Sequence, residues 1–113
     1  MATVEECEAA MHRLADRMHG MDADTRRKTT LDRSVTCHLR DLGVTFGARL
    51  RDSTLQDIRQ VQSPDGGQIR LTMTSQDLLD LVNGSLQFGK AWASGRVKVH
   101  ASVFDLLKLR SMI

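Results

Sequence analysis

The residues most able to do chemistry are two cysteines, Cys7 and Cys37, and four histidines, among them His12 and His38. A metal site would need several of them on one face. Cys7 and His12 lie five apart in a helical pattern and do not stack, while Cys37 and His38 are neighbours in an alternating pattern and point to opposite faces of a strand. No metal site is expected. For nucleophilic catalysis the chain has neither a GxSxG turn nor a recognisable motif around either cysteine, and both thiols fall on apolar faces, where they are inert. Two cysteines cannot build a disulfide framework, so both are read as free and buried. Gly66 and Gly67 sit between two strand patterns, away from the strand-to-helix junction that a phosphate loop occupies. With no paired acid and base in evidence, the sequence predicts neither an enzyme nor a cofactor.

Composition narrows the remaining classes. Sixteen basic and fourteen acidic residues leave a net charge of +2, too weak a field to point to nucleic acid. Phe46, Phe88, Phe104 and Trp92 are the only aromatics, which leaves few platforms for base stacking. Arg26, Arg27, Lys28, Arg33 and Arg40 follow an acid-rich start, and Lys90, Arg96, Lys98, Lys108 and Arg110 dominate the end. That bias is compatible with transient contact with an anionic membrane surface as well as with an ordinary solvated surface. No stretch approaches the ~18 uninterrupted apolar residues of a membrane span, and the start lacks a signal-peptide pattern, so the expected location is the cytoplasm. The 113 residues, 41% of them hydrophobic, are enough for one cored domain covering residues 1–113 and too few for two.

Periodicity supplies the elements. Thr3 and Glu6 have capping-box spacing, and Cys7, Met11, Leu14 and Met18 recur at helical intervals up to Gly20. Residues 21–30 read as an exposed connection. Val35, Cys37 and Leu39 alternate with polar neighbours, as do Val44, Phe46, Ala48 and Leu50; two strands joined by Asp41-Leu42-Gly43 are expected to form a hairpin. A weaker strand covers residues 55–61, a hairpin turn lies at residues 63–67, and Ile69, Leu71 and Met73 make a fourth strand. Four consecutive strands with short links predict an antiparallel meander. Thr74 or Ser75 then caps a helix carrying Leu78, Leu79, Leu81 and Val82, which Asn83-Gly84 ends. A short helix follows with Leu86, Phe88, Ala91 and Trp92, stopped at Ser94-Gly95, and then a strand at residues 96–100. Ser102 and Asp105 repeat the capping spacing and open a last helix, apolar at Val103, Phe104, Leu106, Leu107, Leu109, Met112 and Ile113. A helix apolar around most of its circumference has more to cover than one stripe against a sheet. The order of elements is α+β, with helices segregated onto a sheet.

Residues 86–109, LQFGKAWASGRVKVHASVFDLLKL, resemble the C-terminal signature of the sterol carrier protein 2 domain, a small "aF-x-sGklkv" segment, a short link and a helix with "a-x-kL". Residues 91–99 and Leu107-Lys108-Leu109 carry the match. Residues 69–84, a strand followed by TSQDLLDLVNG, match the preceding "s-x-edl-x-l-x-x-G". The chain departs from the pattern at His100-Ala101-Ser102, where the family usually has glycine followed by Asp or Asn, and it lacks a glycine-rich turn after the second strand. The resemblance implies a mixed, largely antiparallel five-stranded sheet with helices on one face, one of them N-terminal, enclosing an apolar tunnel. It further implies non-catalytic binding or transfer of a fatty acyl chain, acyl-CoA, sterol or phospholipid. Helix and strand phase place the lining at Phe46, Met73, Leu78, Leu81, Val82, Phe88, Trp92, Phe104 and Leu107, with the last helix closing the cavity. The alternative is an interaction module with the same fold and a filled core, its last helix buried in a homodimer.

Overall fold

Among the described residues, three of the four helices start where a side chain accepts from an orphan amide, and the short helix Phe88–Ala93 starts without one. The structure, a computed structural model, describes residues 2–19, 32–51, 54–63 and 66–112. Helix α1 (Val4–His19) opens with the reciprocal capping box: Thr3 Oγ1 accepts from the Glu6 amide at 3.1 Å, and Glu6 Oε1 accepts from the Thr3 amide at 3.1 Å. Its apolar stripe, Cys7, Ala10 and Met11, is buried. Met18, the Arg26-Arg27-Lys28 run and the side chains from Lys108 onward, to which the periodicity gave roles, lie outside the described residues or side chains.

Strands β1 (Arg33–Leu39), β2 (Val44–Arg51), β3 (Thr54–Val61), β4 (Ile69–Met73) and β5 (Lys98–His100) form one sheet in the order β3-β2-β1-β4-β5. The β1–β2, β2–β3 and β4–β5 pairs are antiparallel and the β1–β4 pair is parallel. The meander expected from the sequence therefore stops after three strands. β3 and β4 do not pair, so the hairpin expected at residues 63–67, of which 64 and 65 lie outside the described residues, is not formed; between the two strands the chain passes from the β3 edge past β2 to the far side of β1. A glycine- and proline-rich link fixes that the chain turns and leaves open which neighbour it reaches. The inner position hides both sides of the β4 backbone, which a place at the edge beside β3 would not do.

Gly67 makes this crossing fit. A Cβ there would stand 2.8 Å from the Thr36 amide nitrogen and 2.9 Å from the Ile69 carbonyl oxygen, both backbone atoms that have little room to move. Gln68 completes the seam, its amide donating to Ser34 Oγ at 3.0 Å and its side-chain oxygen accepting from the Ser34 amide at 3.1 Å.

Register divides the sheet into two faces. Cys37 stands opposite Phe46 on one side and Leu71 on the other, so Val35, Cys37, Leu39, Phe46, Ala48, Leu50, Ile69, Leu71 and Met73 share one face. Helices cover that face, and most of these residues are buried in two adjoining apolar clusters. Ser34, Thr36, His38, Thr45, Gly47, Arg49 and Arg70 share the other. Between Gly47 and Arg49 the β2–β3 register shifts, and Asp57, with φ of 55°, marks a bulge in the edge strand.

Candidate functional site

The candidate site is the apolar layer between the covered face of the sheet and the helices that follow β4. Helix α2 (Ser75–Asn83) begins at Thr74, whose Oγ1 accepts from the Asp77 amide at 3.2 Å, and ends at Gly84 in the left-handed conformation with φ of 88°. This frame directs Leu78 and Val82, one turn apart, onto the sheet. Asp77 then pairs with Arg96, and the Val97 amide donates to the Ala91 carbonyl at 3.2 Å, which ties helix α3 (Phe88–Ala93) and the start of β5 to α2.

Phe46, Met73, Leu78 and Val82, four of the nine predicted lining residues, meet in one buried cluster. Leu81 and Phe88 are half-buried and pack against it. Trp92 is half-buried and meets the Phe88 ring edge-to-face, with centroids 6.0 Å apart. Phe104 and Leu107 stand apart. On helix α4 (Val103–Met112) they are 60% and 62% exposed, and Val103 is 75% exposed, so these three turn an apolar surface outward.

What faces inward on α4 is an acid. Asp105 is 4% exposed; its amide donates to Ser102 Oγ at 3.2 Å, as the capping spacing predicts, and its Oδ2 accepts from Arg33 Nε at 3.1 Å. Its other oxygen, Oδ1, is buried with no hydrogen-bond partner. The Arg33–Asp105 tether between β1 and α4 was not read from the sequence. Its one signal is a lone carboxylate amid the apolar residues 103–107.

The chemistry of the cysteines is quiet. Both are free and buried. Burial first, and then the nearby Cys7, push the Cys37 thiol up to about 12. Burial also raises Cys7, helped by the Asp41 and Glu6 charges. Both thiols stay protonated at neutral pH. Among the described residues no group of three or more His, Cys, Asp or Glu is placed to hold a metal ion, and no helix is long and apolar enough to cross a membrane.

No protein-family model matches the chain, and no curated protein is similar to it in sequence. Solved structures are similar in fold. The sterol carrier protein 2-like 2 protein of Aedes aegypti superposes with a TM-score of 0.66 at 17% identity, over 98% of this chain and 100% of that one. The sterol carrier protein domain 2 of Helicoverpa armigera gives 0.67 at 16% identity, over 98% and 89%. The sec-alkylsulfatase Pisa1 from a Pseudomonas species gives 0.61 at 21% identity over 88% of this chain, which spans only 14% of the enzyme's length. The five-stranded mixed sheet, its order and the helices on one face are thus those of a known architecture: the chain has the sterol carrier protein 2 fold.

Proposed function

We propose that the chain, acting as a single unit, binds a lipid or other apolar chain-like ligand without catalysis, between the covered sheet face and α4. The observation that carries this reading is the outward apolar surface of α4. Three large side chains are left in water beside a core whose neighbours Leu81, Phe88 and Trp92 are themselves only half-buried. A ligand chain laid against Phe88 and Trp92, with α4 turned onto it, would take Phe104 and Leu107 out of water. An acyl chain of about a dozen methylenes offers roughly 10 kcal/mol of burial before immobilisation is subtracted, enough for micromolar affinity with no catalytic group. Opening of α4 would then release the cargo, as transfer requires. A structure of the palmitated Aedes aegypti protein shares this fold, with a TM-score of 0.66 at 16% identity, which supports an acyl chain as ligand.

The test is a titration of delipidated protein with an environment-sensitive fluorescent fatty acid, following probe and Trp92 emission, with sterol, acyl-CoA and phospholipid as competitors. Saturable, competable binding with quenching of Trp92, weakened by truncation before Ser102, is the expected result. No binding by the folded protein, or unchanged affinity in a folded truncation, overturns it.

A second reading has one observation in its favour: Pisa1 holds this fold as a small part of a larger enzyme. There the α4 surface would cover a second copy or a neighbouring domain. Mass that rises with concentration, in protein with no affinity for lipid, would select that reading.

A further inference from the structure

The net charge of +2 conceals a segregation that strand register produces. On the sheet face away from the helices, outward positions hold Arg49 and Arg51 on β2, Arg59 on β3, Arg70 on β4 and Lys98 on β5, with His38 and His100 beside them. Arg59, Gly47, Thr36, Arg70 and His100 are successive register partners, so one row crosses all five strands. Among the described residues no carboxylate occupies a regular outward strand position. Asp57 lies at the bulge, and Asp32, just before β1, is engaged by Arg49 and Arg51 at 2.7 and 3.2 Å. Arg59 donates to a neutral partner, the Asp57 carbonyl. Acids gather elsewhere, with Glu5, Glu6, Glu8 and Asp16 exposed on α1.

The centre of this face is covered, with Thr36, Thr45 and Gly47 buried and Gly67 packed against Thr36, while Arg49, Arg51, Arg59 and Lys98 around it are exposed. We infer that these flanking cations dock the protein on an anionic lipid surface. With Arg70 they are spread over four strands, roughly 19 Å from β3 to β5 at the usual strand spacing, and so match a plane of phosphates better than a single line of them. The face has no aromatic side chain, and Val61 is its one large apolar residue among those described, half-buried and lying over Gly47. It thus lacks both the anchors that concentrate energy in a protein interface and the platforms that stack bases. A headgroup plane needs neither. The face is opposite the proposed ligand site, so docking and loading are measured separately, and failure of one does not imply failure of the other.

The experiment is co-sedimentation of the full chain with vesicles of phosphatidylcholine alone and of an equimolar mixture with phosphatidylserine, at low and high salt. Binding is expected only to the anionic vesicles and should fade as salt rises. The double variant Arg59→Gln/Lys98→Gln, both positions exposed, should lower the partition coefficient roughly thirtyfold. A charge-matched control, Arg13→Gln/Lys90→Gln on the helical side, should lower it far less, and circular dichroism verifies the fold of each. Equal loss in both variants, equal binding to neutral vesicles, no binding at all, or tighter retention by duplex DNA or polyglutamate would each overturn the assignment.

Discussion

Asp41 shows how a turn residue becomes structural. Its Oδ1 accepts from the Ser75 amide at 2.8 Å and its Oδ2 from the Ser75 hydroxyl at 2.5 Å, while Ser75 Oγ in turn accepts from the Ala2 amide at 3.2 Å. Burial pushes this carboxyl up, but the hydrogen bonds from the Ser75 hydroxyl and amide and from the Asp41 and Leu42 backbone together outweigh it, and the net direction is down from 3.8. A lowered carboxyl contributes stability above its ordinary value and loses it as pH falls through the folded one. Urea midpoints measured from neutral pH down through the carboxylate range should therefore drop, and Asp41→Asn should flatten that acid limb. The sequence showed Asp41 as part of a turn; its partner 34 residues later was invisible, because no periodicity links a loop to a distant cap. The burial of Cys7, Cys37, Phe46 and Met73 was legible, since alternation and helical spacing report which side of an element is dry.

At the scale of elements, starts and stops were written locally and directions were not. Thr3, Thr74 and Ser102 cap as their spacing predicts. The last helix is different: apolar residues on most sides give no phase, so nothing in residues 103–107 said that Asp105 turns inward and Phe104 outward. Arg33→Met removes the guanidinium that donates to Asp105 Oδ2 and leaves a buried carboxylate without that bond. A loss of about 1–3 kcal/mol is expected in urea unfolding, with faster amide exchange in α4 than in β1. The crossing link supplies a paired test. Gly67→Ala pushes a methyl into backbone atoms of β1 and β4 and should destabilise by about 1–3 kcal/mol, whereas Gly66→Ala, with nothing within 4 Å, should stay within about 0.5 kcal/mol.

For the whole molecule, the number of strands and their succession along the chain could be read from the sequence, and their places in the sheet could not. Hydrophobic alternation is the same whether β4 lies beside β3 or beside β1, and the choice between them rests on contacts far apart in the chain. The same blindness hid the charge segregation: composition reports +2, and only register shows that the cations share a face. The proposed binding has a global signature. A ligand that binds only the folded chain should raise its unfolding free energy by about 2.7 kcal/mol at a hundredfold excess over Kd, read as a shift of the urea midpoint, while a ligand-free interaction module should show none.

The bulge at Asp57 has a consequence for how the protein survives at high concentration. Strand β3 is an edge, and an edge with regular pairing geometry is a template on which another copy can add a strand and begin a fibril. An extra residue in the left-handed conformation, next to a charged Arg59, breaks the ladder midway and twists the edge away from a flat partner. The irregularity acts as a guard against self-templated aggregation.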